Sequence, residues 1–463
     1  MKKILFLLFS IVILNAKEPL SLEDALKILN SQNLEIKAAV LDVEAAKEKA
    51  NSVKGNSWGK LELIQDVVNS DSAGNVFGFK LESREATFGD FGFSDFLTPL
   101  GSAIYGASQG MAPSDMSGLL TIEPDDLNYP DSRTLFQTKL KYQLPIFTGF
   151  QISSYTNIME YMAKLKSLDK DQIVNEKTYQ LKKSFYDMAL LKKSINNLEI
   201  ILKNINKLEN MVQNMINEGY ATKTDLLEIQ AKKGDVERMV SQMNYNKDLL
   251  YHFIGFLLNQ EVDAIEVPTK NINIPNVTDN DVIEKNLDIQ KASTGLKIRE
   301  SMIDVEKSNF YPMVGAFAEL STADDKFLGE ASDHKAYTVG ARLTWNIFNG
   351  GVDNSKVQEA KIQKLKTQSQ VELAKHGIKL QLAKLRTEIE TQDAKISFLE
   401  KELKLADEIY KNYEARYKEN LASMSDVMIK QSSQIQKILE LQMAQNKRNE
   451  RIFAMIKLAN GDK

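Results

Sequence analysis

The chain contains three histidines, the residue type used most often for proton transfer and metal binding near neutral pH. His252, His334 and His376 lie far apart in sequence, and none has another histidine one helical turn away. No phosphate-binding glycine loop and no nucleophile elbow accompanies them. The sequence therefore predicts no enzyme, no metal site and no cofactor, and it predicts unrelated histidines at solvent-facing or interhelical positions.

Carboxylates are abundant, with 63 Asp and Glu residues, so most of them are expected to form solvated helix faces. Asp225 and Glu228 are one helical turn apart and share a face. Asp426 follows Asp225 by 201 residues, in a matching segment. Residues 216–227 read INEGYATKTDLL and residues 417–428 read YKENLASMSDVM, so these acidic positions belong to a repeated element.

The repeat includes two further segments. Residues 144–150 read LPIFTGF and residues 345–351 read WNIFNGG, again 201 residues apart, whereas NLEI at 33–36 and NLDI at 286–289 are 253 residues apart. The two spacings differ by 52 residues, which predicts an inserted loop in the first half, at about residues 69–133. We expect a first repeat at 17–278, ending in a linker near 261–279, and a second repeat at 279–463.

The N-terminus is typical of an exported protein. Residues 1–16 combine a basic start with a short apolar stretch, as in a cleaved signal peptide. The chain has no cysteine, which excludes disulfides and a lipid-modified N-terminal cysteine. No other apolar run approaches the length of about 18 residues that a membrane-spanning helix needs. The formal charge of -4 argues against nucleic acid as a partner.

Each repeat contains two candidate strands in which apolar and polar residues alternate. An apolar face opposite a charged face is the pattern of a transmembrane barrel, with lipid outside and water inside. The alternative is a soluble hairpin that packs on helices. The candidate strands are residues 61–68, 135–146, 311–320 and 335–348.

The rest of each repeat is typical of long helices. Residues 149–215 contain no proline, and from residue 181 onward apolar residues recur about every 3.4 positions, close to the coiled-coil period of 3.5. Residues 350–416 repeat this design, and returning helices are expected at 224–258 and 425–458. The predicted fold is mainly α, with long antiparallel coiled-coil helices and four transmembrane strands in each protomer. A purely structural coiled coil is the alternative for the helices alone.

The order and duplication of these elements resemble the TolC family of outer-membrane efflux proteins. The resemblance extends from Leu20 to Gly461. It rests on the two hairpin-tip segments, on residues 77–81 (FGFKL) and 127–131 (LNYPD) of the insertion, and on the two strand-to-helix joints. The joint residues are Pro145, Gly149, Gly350 and Gly351.

The resemblance implies a homotrimer in the outer membrane, because four strands alone would leave unpaired edges in lipid. Three chains would close a twelve-stranded β-barrel and a twelve-helix tunnel through the periplasm. The implied function is the exit duct of a tripartite efflux pump or a type I secretion system, supplied by an inner-membrane pump and a periplasmic adaptor. Two alternatives remain: a duct for one substrate class, and a periplasmic adaptor or structural coiled-coil protein without a pore.

The resemblance also implies a gate at the periplasmic hairpin tips. Acidic residues from three protomers would bind a cation there, and a tyrosine would help to lock the closed tip. Two positions depart from the family, because Ile429 replaces its second acid and Ala422 replaces an arginine. Alternatively, the two aspartates are only the N-caps of the returning helices. The implied tip residues are Asp225, Glu228, Tyr417 and Asp426.

Overall fold

The structure is a computed structural model that describes residues 19–111, 117–269, 272–327, 329–330 and 332–460. The predicted signal peptide lies outside the described residues. The four strands are β1 Lys60–Ser70, β2 Arg133–Thr148, β3 Met313–Asp324 and β4 Lys335–Thr344. The helices are α1 Leu22–Gln32, α2 Leu34–Gly55, α3 Ala73–Glu82, α4 Phe93–Ser108, α5 Asp125–Asn128, α6 Gln151–Asn217, α7 Lys223–Leu258, α8 Asp279–Lys285, α9 Leu287–Ser308, α10 Val352–Lys418 and α11 Met424–Leu458.

The chain divides into two compact units, and each takes segments from both predicted repeats. The helical unit contains the chain up to Lys47, Glu160–Ile298 and the chain from Gln363 onward. The sheet unit contains Glu48–Met159 and Arg299–Ile362. The division into repeats at residues 278 and 279 stays a prediction.

The long helices form as the apolar spacing predicts. Helices α6 and α10 each have 67 residues and begin 201 residues apart, as α7 and α11 do. Helices α6 and α10 start two residues after their predicted positions, because the two residues before each helix have positive φ and cannot belong to a helix. No helix among the described residues is long and apolar enough to cross a membrane. The coiled-coil positions that are fully buried include Phe185, Met188, Leu198, Ile205 and Val212.

Two equivalent apolar cores stabilise the helical unit away from the hairpin tips. One core contains Leu29, Leu181 and Leu257, and the other contains the residues at equivalent repeat positions. Those equivalents are Val282, Leu382 and Leu458. The repeat therefore places the same contacts twice, between an opening helix and a long hairpin.

A buried asparagine fixes each opening helix to the end of a returning helix. The Asn33 side chain donates to the Leu257 carbonyl at 2.8 Å and accepts from the Ile36 amide at 3.0 Å. The Asn286 side chain donates to the Leu458 carbonyl at 3.0 Å and accepts from the Ile289 amide at 3.2 Å. Each side chain supplies a partner to a helix-terminal carbonyl that would otherwise lack one.

The sheet unit contains a four-stranded antiparallel sheet in the order β1-β2-β3-β4. The prediction of a strand through residue 348 is wrong in its last four residues, because β4 ends at Thr344. The next residue leaves the ladder, and the Trp345 indole donates to the Phe310 carbonyl at 3.1 Å instead. The other strands are longer than predicted.

The insertion at residues 69–133 is not the long loop that the sequence predicted. It contains α3, α4 and α5. Helices α3 and α4 each contain two glycines, and α4 also contains Pro99, so the sequence did not favour helices there. Local packing supports them: Val76 is buried, and the rings of Phe77 and Phe91 meet edge to face with centroids 5.0 Å apart.

The duplicated asparagines generate a prediction about stability. Replacing Asn33 or Asn286 by Ala leaves a helix-terminal carbonyl without its partner, which costs about 1–3 kcal/mol. We expect Asn33→Ala and Asn286→Ala to lower the apparent melting temperature, followed by helical circular dichroism in detergent, by similar amounts. Asn51→Ala is the control, since Asn51 is exposed and its side chain donates to Glu48 within the same helix. Equal melting of all three variants would contradict this role.

Candidate functional site

The two faces of the sheet differ in chemistry. Every second residue of β2 from Phe136 onward shares one face with its cross-strand partners. That face is apolar apart from Gln65, Thr138 and Thr322, and apart from Asp324 and Lys335 at the end nearest the insertion. The larger apolar residues on it are exposed, for example Leu63 at 73% and Tyr337 at 79%. The opposite face includes Lys139, which pairs with Asp66 at 3.3 Å. A bare apolar face opposite a charged face is the arrangement expected of a lipid-exposed sheet. The charged side chains there include Asp66, Lys139, Lys141, Glu319 and Arg342.

The first strand-to-helix joint requires left-handed backbone. Gly149 has φ +60°, and a Cβ there would lie 2.6 Å from the Ser308 carbonyl oxygen. Phe150 also has positive φ and packs its ring against Phe147 and Tyr311, with centroids 5.3 and 5.6 Å away. The ladder shifts register between Pro145 and Phe147, where the missing proline amide donor costs nothing.

The second joint repeats this backbone with more space. Gly350 and Gly351 have φ +68° and +84°, and a Cβ at either position would meet nothing within 4 Å. They occupy the positions equivalent to Gly149 and Phe150. The four joint residues predicted from the sequence therefore lie where the strands give way to the long helices.

The hairpin tips are closed by two turns of the same design. Glycine at 219 and Asn420 have positive φ, and each ends its helix with a backbone bond that spans six residues. The Tyr220 amide donates to the Met215 carbonyl at 2.8 Å, and the Leu421 amide donates to the Arg416 carbonyl at 2.8 Å. Each turn leads directly into a returning helix.

The returning helices begin with capping boxes, which corrects the alternative that the aspartates are N-caps. The N-caps are Thr222 and Ser423, and Asp225 and Asp426 occupy the third helical position. The Asp225 carboxylate accepts from the Thr222 amide at 2.8 Å, and the Asp426 carboxylate accepts from the Ser423 amide at 3.1 Å. Both aspartates therefore have a structural role in starting a helix.

Three of the four predicted tip residues come together. Tyr417 of α10 is only 5% exposed, and burial together with the nearby Asp225 and Glu228 carboxylates raises its pKa to about 12. One Glu228 carboxylate oxygen is buried without a hydrogen-bond partner among the described residues. Tyr417 therefore stays protonated and lies beside two acidic side chains of α7.

Asp426 has different neighbours. The hydrogen bond from the Ser423 hydroxyl, followed by the one from its amide, holds the Asp426 pKa below its usual value. Lys430 and Arg416 lower this pKa further through their positive charges. Arg416 lies at this tip, where its guanidinium donates to the Leu421 carbonyl at 3.4 Å. In one chain, the predicted gate residues therefore form two groups rather than one.

The sequence reasoning missed one tip residue. Gln431 of α11 is 0% exposed, and neither polar atom of its side chain has a partner among the described residues. It lies one turn after Val427 and one turn before Ile435, two residues of the apolar tip core. A glutamine in a charged helix gives no sign of burial, which depends on how four helices pack.

The histidines lie in unrelated places. His252 and His376 are exposed on α7 and α10, whereas His334 is buried in the sheet unit. His334 Nδ1 is 3.2 Å from the Ala323 carbonyl and 3.3 Å from the Asp324 carboxylate, so it is neither solvent-facing nor interhelical.

An acidic group that the sequence did not predict lies near His334. Carboxylate oxygens of Glu85, Asp324 and Asp325 lie within 4.8 Å of one another. Glu85 pairs with Arg133, and Asp324 accepts from the Lys326 and Glu330 amides. These charges are already satisfied by protein groups, so we assign the cluster a structural role.

Comparison with known structures places this fold in a class. CusC matches with a TM-score of 0.75 at 12% identity, covering 95% of this chain and 91% of that chain. VceC from Vibrio cholerae matches at 0.73 and 14%, covering 95% and 96%. The outer membrane channel CmeC from Campylobacter jejuni matches at 0.72 and 13%, covering 95% and 85%. The chain therefore has the fold of the outer-membrane channel proteins.

The second half of the chain matches a known sequence family. Residues 280–461 match the sequence model described as Outer membrane efflux protein. A search among curated protein sequences finds no match. The family match in the second half and the fold match over nearly the whole chain agree: residues 280–461 are similar to the outer membrane efflux proteins, and the chain has the fold of the outer-membrane channels.

The two joints generate a prediction, because they share a backbone but differ in space. Gly350→Ala adds only left-handed strain of about 1–2 kcal/mol. Gly149→Ala adds this strain and a contact with the Ser308 carbonyl, and overpacking costs about 1–3 kcal/mol more. We expect a larger fall in apparent melting temperature for Gly149→Ala than for Gly350→Ala. An equal fall would mean that the close approach to Ser308 does not constrain the first joint.

Proposed function

We propose that the protein is the outer-membrane exit duct of a tripartite efflux pump or a type I secretion system. The observation that carries the proposal is the sheet with a bare apolar face, whose strands continue into helices of 67 residues. At 1.5 Å per residue, such a helix is about 100 Å long. A lipid-facing sheet would hold the duct in the outer membrane, and the helices would extend into the periplasm. The proposal assigns no catalytic step to the chain.

In the proposed duct, three copies close the barrel. Strands β1 and β4 are the sheet edges, and each leaves one row of backbone groups unpaired within a chain. Unpaired backbone groups in lipid cost several kcal/mol each, so an open four-stranded sheet is unstable there. Three copies pairing β4 of one protomer with β1 of the next close a twelve-stranded barrel. The apolar face then meets lipid, and the charged face lines a water-filled lumen.

The partners follow from the same architecture. A passive duct needs a source of energy elsewhere, so we propose that an inner-membrane pump supplies the substrate. A periplasmic adaptor would join that pump to the helical end of the trimer. The side chains on the lumen face carry both signs of charge. Lys139, Lys141 and Arg342 are positive, and Asp66 and Glu319 on the same face are negative. This mixture favours no single charge class of substrate.

We also propose that the hairpin tips gate the duct. Tyr417 is buried beside Asp225 and Glu228, so its hydroxyl can hold α10 against α7 while the tip is closed. Asp426 stays ionised and partly exposed, which suits a ring of three carboxylates that attracts cations. The expectation that such a ring raises carboxylate pKa values concerns three copies and stays a prediction.

Conductance in a planar bilayer tests the duct and its gate. We expect the purified trimer to give a small cation-preferring current. Tyr417→Phe removes the hydroxyl beside the two acids and should raise the conductance severalfold. Asp426→Ala should weaken the cation preference, because it removes the carboxylate ring.

A matched control separates charge from helix capping. Ser423→Ala breaks the same capping box as Asp426→Ala but keeps the carboxylate. Ser423→Ala should therefore retain the cation preference at a capping cost of about 1 kcal/mol. Equal loss of preference in both variants would sink the gate role of Asp426. A protein that forms neither trimers nor pores would instead be an adaptor or a structural coiled coil.

A further inference from the structure

The insertion between β1 and β2 lies at one defined end of the sheet. Strand β2 begins at Arg133, directly after the insertion, and ends beside Gly149, where α6 follows. The insertion is therefore at the end of the sheet opposite the joints. In the proposed duct the joints face the periplasm, so the insertion belongs to the outer mouth.

Hydrogen bonds attach the insertion to the charged face of the sheet. Gln137 donates to the Glu82 carboxylate at 2.9 Å, and Arg133 donates to the Ser83 hydroxyl at 3.1 Å and pairs with Glu85. Arg133 and Gln137 are four residues apart in β2, so they lie on the same face as Lys139 and Lys141.

A further bond extends this attachment across the sheet. Arg84 has φ +55°, which directs the chain back toward the strands, and its guanidinium donates to the Lys335 carbonyl at 2.5 Å. Val76 of α3, Ser83 and Leu135 are all buried at this contact. The residues that join the insertion to the sheet form a polar clasp: Glu82, Ser83, Arg84, Glu85, Arg133, Gln137 and Lys335.

Outside the clasp, the insertion exposes several large apolar side chains within one chain, and together they are called its apolar side. Each of these residues leaves apolar area in water, which is unfavourable. Exposed apolar patches commonly mark a contact with another molecule. Within one chain the exposed residues include Phe88, Leu97, Ile104, Tyr105, Leu120 and Tyr129.

The closed barrel determines what can cover this surface. The clasp holds the insertion on the face that lines the lumen, so its uncovered side points away from the wall toward the three-fold axis. In a trimer, two further copies of the same insertion occupy that space. The same apolar surface on each copy can pack against the others, as symmetry requires of a closed assembly.

We propose that the three insertions form an outer plug, held to the lumen wall by the polar clasp and sealed by their apolar sides. This inference rests on the proposed trimeric duct. The plug narrows the outer mouth, so the channel has a closure at each end: the tips on the periplasmic side and the insertions on the outer side. Opening the outer end requires release of the clasp.

Reagent access from outside the cell tests the plug without involving the tip gate. The chain has no native cysteine, so Lys141→Cys places one reactive group on the lumen wall below the clasp. On intact cells, we expect a small impermeant maleimide to label it and a polyethylene-glycol maleimide to label it severalfold more slowly. Adding Arg133→Gln, which breaks the clasp, should raise the rate with the large reagent severalfold.

The matched control is Arg342→Gln, which removes another cation from the same face without touching the clasp. It should leave the rate with the large reagent unchanged. Equal rates for the small and large reagents on Lys141→Cys alone would overturn the plug. So would an Arg133→Gln variant that forms trimers yet labels like its parent.

Cross-linking supplies an independent readout. Single cysteines at Phe88→Cys or Tyr105→Cys lie on the apolar side and should form disulfide-linked dimers within the trimer on oxidation. Asp131→Cys, at the base of the insertion, should not. Trimers without such cross-links would overturn the plug and leave the duct standing, whereas an absence of trimers would overturn both.

Discussion

The sheet imposes the constraint on which the rest of the structure depends. Its apolar side chains lie on a face that no described element covers, and its two edge strands leave backbone groups unpaired in a single chain. In water this arrangement would aggregate through its edges, and in lipid it would expose unpaired amides. Closure by identical copies satisfies both requirements at once. The proposed trimer meets both requirements as a closed twelve-stranded barrel.

The strand-to-helix joints determine where the long helices begin. At each joint two successive residues with positive φ turn the chain from strand to helix. The end of α9 and the turn that follows it contact both joints, because the Ser308 carbonyl lies beside Gly149 and the Phe310 carbonyl accepts from the Trp345 indole. Farther along, the buried amides of Asn33 and Asn286 fix the ends of the returning helices. Because the sequence is duplicated, each device occurs twice, and a channel wall is built from two similar hairpins in every protomer.

Periodicity predicted the long helices and the two-faced strands, since both patterns depend on local burial alone. The capping boxes could also have been recognised, because Thr222 and Ser423 each precede an aspartate by three residues. The helices of the insertion could not be recognised in this way, since glycines interrupt α3 and α4 and Pro99 lies inside α4. The burial of Gln431 depends on contacts between helices far apart in sequence, and the pairing of His334 with Asp324 depends on the conformation of the turn between β3 and β4. The separation of Asp426 from Tyr417 likewise depends on which helices face each other.

Cysteine labelling of the two sheet faces is the most direct test of whether the apolar face lies in lipid and the charged face in water. Single cysteines can be placed at Leu63, Leu140 and Leu320 on the apolar face, and at Lys141, Glu319 and Thr338 on the charged face. A water-soluble and a lipid-soluble maleimide are then compared on outer membranes. We expect the cysteines on the apolar face to react only with the lipid-soluble reagent, and those on the charged face to react with the water-soluble reagent. Equal reaction of both sets with the water-soluble reagent would show that the sheet does not lie in lipid, and the duct would fall with it.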